Sequence, residues 1–367
     1  MQDPIYVTRP FLPPLEKFND LLPLLWENRK LTNGGIYHDQ LEAELTKATN
    51  VAYCSLMNNG TIALLIALKA LNLRGEVITT PFSFIATSHV LLWLGLEPVF
   101  VDIDPATLNI SPHAIEAAIT SKTSAILGVH CYGTPCDVEA IQKIANTHSI
   151  SIIYDAAHAF GVADGGGSIL RHGDISVVSF HATKVFHTFE GGGVFTQNKE
   201  LNKTINSLRN FGIKDEDEVS ALGLNGKLNE LSCAMGLVNL EYFQSALSGR
   251  EKIYTSYQKH LKENNHIRFP CNGHADIKNF SYCPILVSSS EKYSRDGLYD
   301  FLKQRNIFTR KYFYPLISDQ KNYREARKLP LPVASAAASE ILCLPIFPEM
   351  EVEDAVSVAK HINMYFQ

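Results

Sequence analysis

The sequence predicts an α/β protein built on a mostly parallel sheet with helices on both faces. Three observations carry that expectation. From about residue 50, short apolar runs alternate with stretches of helical period over about 150 residues, the pattern of repeated strand–helix–strand units. Several runs are apolar at successive positions, as strands buried on both faces are. The composition, 46% hydrophobic and 19% charged, excludes a disordered, collagen-like or coiled-coil chain and supplies a sizeable core.

Each element has its own justification. Residues 61–71 (TIALLIALKAL) carry apolar side chains at i, i+3 and i+4 and predict a helix. Residues 76–84 (EVITTPFSF) read as a strand, 86–95 (ATSHVLLWLG) as a helix, and 97–104 (EPVFVDID) and 124–130 (SAILGVH) as strands. Residues 137–148 (DVEAIQKIANTH) again have helical period, and Asp137, just after Pro135, is placed to cap that helix. Strands at 151–155 (SIIYD), 175–180 (ISVVSF) and 192–196 (GGVFT) complete the alternation. Ligands of such a sheet gather at the carboxyl ends of its strands. Near residue 245 the texture changes, and 245–252 (SALSGREK) reads as a surface link. A large domain with an N-terminal arm is therefore expected over 1–245 and a smaller α+β domain over 246–367.

Composition also limits function. The net charge of −5 argues against binding nucleic acid or an anionic membrane through the overall field, so an anionic ligand needs a local grip. Seven cysteines are an odd, scattered set with no Cys-x-x-Cys pair, which reads as reduced, mostly buried thiols and no metal site. The N-terminus MQDPIYVTRPF lacks the layout of a signal peptide, and the apolar stretch from Val90 is interrupted by Glu97. A cytoplasmic protein is expected. No G-x-G-x-x-G follows a strand and no Walker lysine loop is present.

Four features stand where an α/β enzyme would use them. Asn58-Asn59-Gly60-Thr61 opens a helix, so free amides, a glycine and a hydroxyl converge on a site for a phosphate or carboxylate; an ordinary cap is the alternative. Asp155 closes a buried strand, where a carboxylate must be paired or functional, and His158 follows it. Lys184 lies just beyond the next strand, where partial desolvation would make its amine nucleophilic. Glu190-Gly191-Gly192-Gly193 is a flexible turn into a further strand. Together the aspartate, the lysine and the anion-binding helix start form a constellation for pyridoxal phosphate. The lysine would hold its aldehyde as a Schiff base, and the aspartate would keep the pyridine nitrogen protonated. Gly60, Thr61 and Ser179 would hold the phosphate, and Phe84 would stack on the ring.

With these residues the sequence resembles the DegT/DnrJ/EryC1/StrS sugar aminotransferase family, of the aspartate aminotransferase fold (fold type I). The resemblance runs nearly end to end, through TNGG (32–35), NNGTIALLIAL (58–68), EVITTPFSFIAT (76–87), VHCYGTPCD (129–137), YDAAHAFG (154–161), SFHATK (179–184), EGGGVFT (190–196) and GLNGKLNELSCAMGL (223–237). It implies a mostly parallel seven-stranded sheet and the cofactor pyridoxal 5′-phosphate. Lys184 matches the lysine that bonds the cofactor and shuttles the proton, and Asp155 the partner of the ring nitrogen. His158 stands where many members have Gln at the ring hydroxyl. Phe84 matches the stacking aromatic, and Gly60, Thr61 and Ser179 the phosphate cradle. Asn225 matches an asparagine that reaches the phosphate in a neighbouring subunit, implying a homodimer with shared active sites.

The family includes dehydratases that have lost the lysine, and this chain keeps it. The stretch Asn225-Gly226-Lys227 lacks the Tyr-Arg that often follows the asparagine. With TRKYFYPL (309–316) it resembles the subgroup typified by the viosamine-forming aminotransferases. That likeness implies transfer from L-glutamate to C4 of dTDP-4-keto-6-deoxyglucose, for polysaccharide or O-antigen biosynthesis. Amination at C3, a related dehydratase or cyclitol aminotransferase, and a silent cofactor-binding regulator stay open. Arg310 and Lys311 are candidates for the nucleotide diphosphate, and His187 and Glu190 for the sugar pocket.

Overall fold

A computed structural model of the protein describes residues 3–32, 34–271 and 273–367; Asn33, within the Thr32–Gly35 motif, lies outside the described residues. The central sheet has seven strands: β1 (Tyr53–Met57), β2 (Glu76–Thr79), β3 (Glu97–Phe100), β4 (Thr123–Val129), β5 (Ser151–Asp155), β6 (Ile175–Ser179) and β7 (Gly192–Thr196). Their order is β1-β7-β6-β5-β4-β2-β3. All run parallel except β7, which is antiparallel to both its neighbours.

Alternate side chains of each central strand feed different cores. Val77, Leu127 and Ile153 pack on one face with Leu64 and Ala67, while Ile78, Ile126 and Ile152 pack on the other with Ile141. Both faces are covered, which is why these strands read as unbroken apolar runs. Each such side chain contributes about 1.5–3 kcal/mol by leaving water. The covering helices include α1 (Ile36–Thr49), α2 (Gly60–Ala70), α3 (Ala86–Trp93), α4 (Pro112–Ala118), α5 (Val138–His148) and α6 (Lys199–Leu208). Asp137 caps α5, its Oδ1 accepting the Ala140 N–H at 3.0 Å.

The strands expected at 151–155 and 192–196 have those limits. The strands expected at 76–84 and 97–104 stop at Thr79 and Phe100. β1 is a further strand, beyond those the apolar runs predict. A larger correction concerns residues 245–252, which form no surface link. They lie inside α7 (Glu230–Leu261), a single helix of 32 residues. Gly249 lets the helix approach the loop at Pro348, whose carbonyl oxygen would lie 2.4 Å from an added Cβ. Arg250 is 1% exposed and donates to the carbonyls of Phe280, Ser281 and Ile346.

The second half of α7 joins a separate core around Ile253, Tyr257, Ile285, Leu342 and Val358. There a three-stranded antiparallel sheet, β8 (Ile267–Arg268), β9 (Cys283–Val287) and β10 (Ile341–Leu344), packs with α8 (Arg295–Lys303), α9 (Pro332–Glu340) and α10 (Val352–Tyr365). The N-terminal strand Ile5–Tyr6 pairs in parallel with Ile307–Phe308, tying the arm to this part of the chain. The seven cysteines are free, and all but Cys271 are buried. No helix among the described residues is long and apolar enough to cross a membrane.

Candidate active site

At the carboxyl ends of β5 and β6 a cavity of about 570 Å³ opens between the central sheet and the segment around Tyr312. Gly60, Thr61, Phe84, Asp155, His158, Ser179, Lys184 and Glu190 all line it, so eight of the candidate residues meet in one place.

The floor is set by Asp155, 5% exposed. Its Oδ2 accepts from the Thr87 hydroxyl at 2.7 Å and its Oδ1 from the Ala157 N–H at 3.1 Å. Thr87 in turn lies 2.8 Å from the Ser83 hydroxyl, completing a short relay that fixes the carboxylate. Burial pushes the Asp155 carboxyl above its usual range, while these hydrogen bonds and the Lys184 charge oppose that shift. Such a carboxylate favours a cation placed against it.

Lys184 follows β6 in the loop to β7. The residue is half-buried, and its amine is desolvated beside the ring of Tyr282, 5.9 Å from the centroid. Burial brings its pKa down to about 8, against the opposing pull of Asp155. His158 is 5% exposed, and the Tyr132 N–H donates to its Nδ1 at 3.2 Å. Burial and then the Lys184 charge hold its pKa well below 6.5. The ring is therefore neutral with its proton on Nε2, the nitrogen 3.5 Å from the Tyr282 hydroxyl. Phe313 stacks on it, with centroids 6.0 Å apart.

The far end of the cavity is an anion cradle. Asn59 caps α2 by accepting the Ile62 N–H at 2.9 Å, while the Gly60 and Thr61 amides have no acceptor among the described residues. Ser179 lies beside them in the same lining. The cradle depends on a close backbone approach: a Cβ on Gly192 would lie 2.7 Å from the Asn59 carbonyl and 2.8 Å from the Gly60 nitrogen. A desolvated lysine, a buried carboxylate and unpaired amides at a helix start fit an aromatic aldehyde bearing a basic ring nitrogen and a phosphate, as pyridoxal phosphate does. Gly192→Ala is accordingly expected to destabilise the protein by about 1–3 kcal/mol and to weaken cofactor binding. Thermal unfolding and cofactor titration check both, and unchanged affinity would remove Gly192 from the account.

Four candidates fall outside the cavity. His187 is 1% exposed and lines no part of it. Its Nε2 donates to the Phe11 carbonyl at 2.7 Å, its Nδ1 accepts from Phe189, and Asn239 donates to its carbonyl, so it fastens the N-terminal arm to the Lys184 loop and α7. Lys311 is held 2.5 Å from Asp296 and over the Tyr299 ring. Arg310 is exposed, and its backbone pairs with Cys343. Asn225 is exposed and outside its own chain's cavity, its carbonyl accepting from Asn58 at 3.4 Å. Sequence reasoning missed Thr87, Tyr282, Tyr312 and Phe313, which line or brace the site. Tyr132 also escaped it; that residue donates its N–H to His158 and its phenol to the Tyr312 carbonyl.

Comparisons with known proteins agree with this chemistry. The chain is 50% identical over 367 residues, covering 99% of itself and 100% of the relative, to a dTDP-4-amino-4,6-dideoxy-D-glucose transaminase of Shigella dysenteriae. It is 46% identical to a protein of that name from Escherichia coli, covering 97% of each. Among solved structures, DesI in the presence of its TDP-sugar product superposes with a TM-score of 0.95 at 33% identity, covering 99% of this chain and 93% of DesI. Helicobacter pylori PseC, an aminotransferase of pseudaminic acid biosynthesis, gives 0.91 at 28% identity and 99% of each chain. The sequence profile of the DegT/DnrJ/EryC1/StrS aminotransferases matches residues 16–363. The chain belongs to that family and is a pyridoxal phosphate-dependent transaminase working on an amino donor and a nucleotide-linked keto sugar.

Proposed function

We propose that this protein moves an amino group from L-glutamate to C4 of dTDP-4-keto-6-deoxy-D-glucose, giving dTDP-4-amino-4,6-dideoxyglucose and 2-oxoglutarate. The observation that carries the reading is full-length identity of 50% and 46% to two transaminases named for that product. The product suits polysaccharide or O-antigen assembly in the cytoplasm.

Pyridoxal phosphate, when bound, supplies the electron sink through which an amino group and a carbonyl oxygen exchange places. The protein's part is binding, orientation and proton transfer. Lys184 takes a proton from the donor's α-carbon and returns one to the sugar carbon, as a desolvated amine with a pKa near neutrality can. Asp155, pinned by Thr87 and Ala157, would hold the protonated ring nitrogen with its charge. His158 would offer its Nε2–H to the ring hydroxyl, and Phe84 would stack on the ring. The amides of Gly60 and Thr61, with Ser179, would hold the phosphate.

Two coarser features complete the reading. Residues 246–367 act as the smaller domain over the cavity, supplying Tyr282, Tyr312 and Phe313. The working unit is a homodimer, in which Asn225 reaches the partner's phosphate site. An apolar groove beside the cavity supports this, with Trp93 82% and Leu222 84% exposed, since an apolar groove of this kind suits a protein–protein contact.

The deciding experiment is incubation of the holoenzyme with L-glutamate and dTDP-4-keto-6-deoxyglucose, followed by NMR of the product. An amine at C4 is expected. An amine at C3, or no amine, would refute the reading.

A further inference from the structure

Two polar side chains at the mouth of the cavity, His181 and Glu190, have no part in the chemistry above. The loop between β6 and β7 closes on itself. The Phe180 N–H donates to the Gly191 carbonyl at 2.8 Å, and the Thr188 N–H to the Phe180 carbonyl at 3.0 Å. This closure brings His181 Nε2 to 3.8 Å from Glu190 Oε1. Lys184 belongs to the same loop, its N–H donating to the His181 carbonyl at 2.9 Å. Both side chains line the cavity.

The tautomer of His181 follows from its neighbours. The Thr183 N–H donates to Nδ1 at 3.2 Å, and the Thr183 hydroxyl lies 2.8 Å from the same nitrogen. Nδ1 is therefore the acceptor, and the proton sits on Nε2. A donor N–H and an acceptor carboxylate thus stand 3.8 Å apart, too far to bond each other well. Neither has another side-chain partner on those atoms among the described residues. One hydroxyl group satisfies both, accepting from the imidazole and donating to the carboxylate.

Charge decides which ligand group that is. Glu190 repels the carboxylates of an amino-acid donor and the diphosphate of a nucleotide, whereas a neutral hydroxyl meets no such penalty. On a 4-keto-6-deoxy hexose, the hydroxyl beside the reacting carbon is the one on C3. We propose that His181 and Glu190 together recognise that hydroxyl and so orient the sugar carbonyl toward Lys184. The proposal rests on the reading of the acceptor as a nucleotide-linked 4-keto sugar.

The test compares wild-type holoenzyme with Glu190→Gln and His181→Phe on dTDP-4-keto-6-deoxyglucose and on its 3-deoxy analogue. Single turnover with L-glutamate alone serves as the internal control. Wild type should lose roughly 10- to 100-fold in kcat/KM on the analogue. Each variant should lose a similar factor on the parent sugar and little more on the analogue, with the glutamate step within about twofold of wild type. Variants that match wild type on the parent sugar, that lose equally on both sugars, or that slow the glutamate step would overturn the proposal. Failure of wild type to aminate the parent sugar needs no variant to be seen, and it would overturn instead the functional reading beneath it.

Discussion

Replacing Lys184 with alanine is expected to slow the glutamate half-reaction by roughly 10⁴-fold or more, the loss of both a covalent anchor and a general base. The holoprotein should also lose the visible absorption of lysine-bound pyridoxal phosphate. The expectation is sharper than for an arbitrary lysine because burial has already brought this amine to about 8 from 10.5. At pH 7 about one in ten Lys184 side chains is then neutral, against about three in ten thousand for an unperturbed lysine. Only the neutral amine attacks an aldehyde. The apoprotein should therefore capture pyridoxal phosphate about tenfold more slowly for each pH unit below 8, and at a constant rate above it. Stopped-flow absorbance across pH 6–10 measures that curve. A midpoint near 10 would mean that the amine is not desolvated. A Lys184→Ala protein that still transaminates within tenfold of wild type would remove the residue from the chemistry.

How far the sequence discloses such a site depends on whether a residue's surroundings are local. Asp155 and Ser179 end strands whose apolar runs are buried on both faces, so their place at the sheet's carboxyl edge follows from pattern alone. Asn59 and Asp137 declare their helix starts by capping. Tyr282, Tyr312 and Phe313 come from a stretch without a dominant period, and only the packing of the chain after α7 onto the cavity gives them a role. Arg310 and Lys311 lie next to Tyr312 in sequence but outside the cavity lining, and Asp296, on α8, already pairs with Lys311. His187 misled because nearness to Lys184 in sequence is not nearness to the cavity, and the side chain turns inward to the arm. Around residue 249, Ser-Gly-Arg looked like a link. Its glycine is instead a contact with the Pro348 loop and its arginine a buried brace, both invisible until distant segments are in place.

Asp155→Asn separates function from stability in opposite directions. An amide has the shape of the carboxylate but no charge to hold a proton on the cofactor's ring nitrogen, so kcat is expected to fall at least about 10²–10³-fold, as when a preorganised polar partner is removed. The apoprotein should respond the other way. Burial raises the folded-state pKa of Asp155 above its unfolded value, so as pH rises between the two values the folded state binds more protons than the unfolded one. Stability falls across that window and stays lower above it. At pH 7 the Asp155→Asn apoprotein should therefore unfold at the same temperature as wild type or higher, and its advantage should vanish in acid. Thr87→Val adds the complementary test. The Thr87 hydroxyl lowers the Asp155 pKa, so its loss should move the acid limb of the kcat profile upward in pH. An Asp155→Asn enzyme within threefold of wild type, or an apoprotein destabilised at pH 7 but not in acid, would show that this carboxylate serves the fold rather than the chemistry. The opposed outcome, an inactive but sturdier protein, is what a charge buried for a protonated ring nitrogen requires.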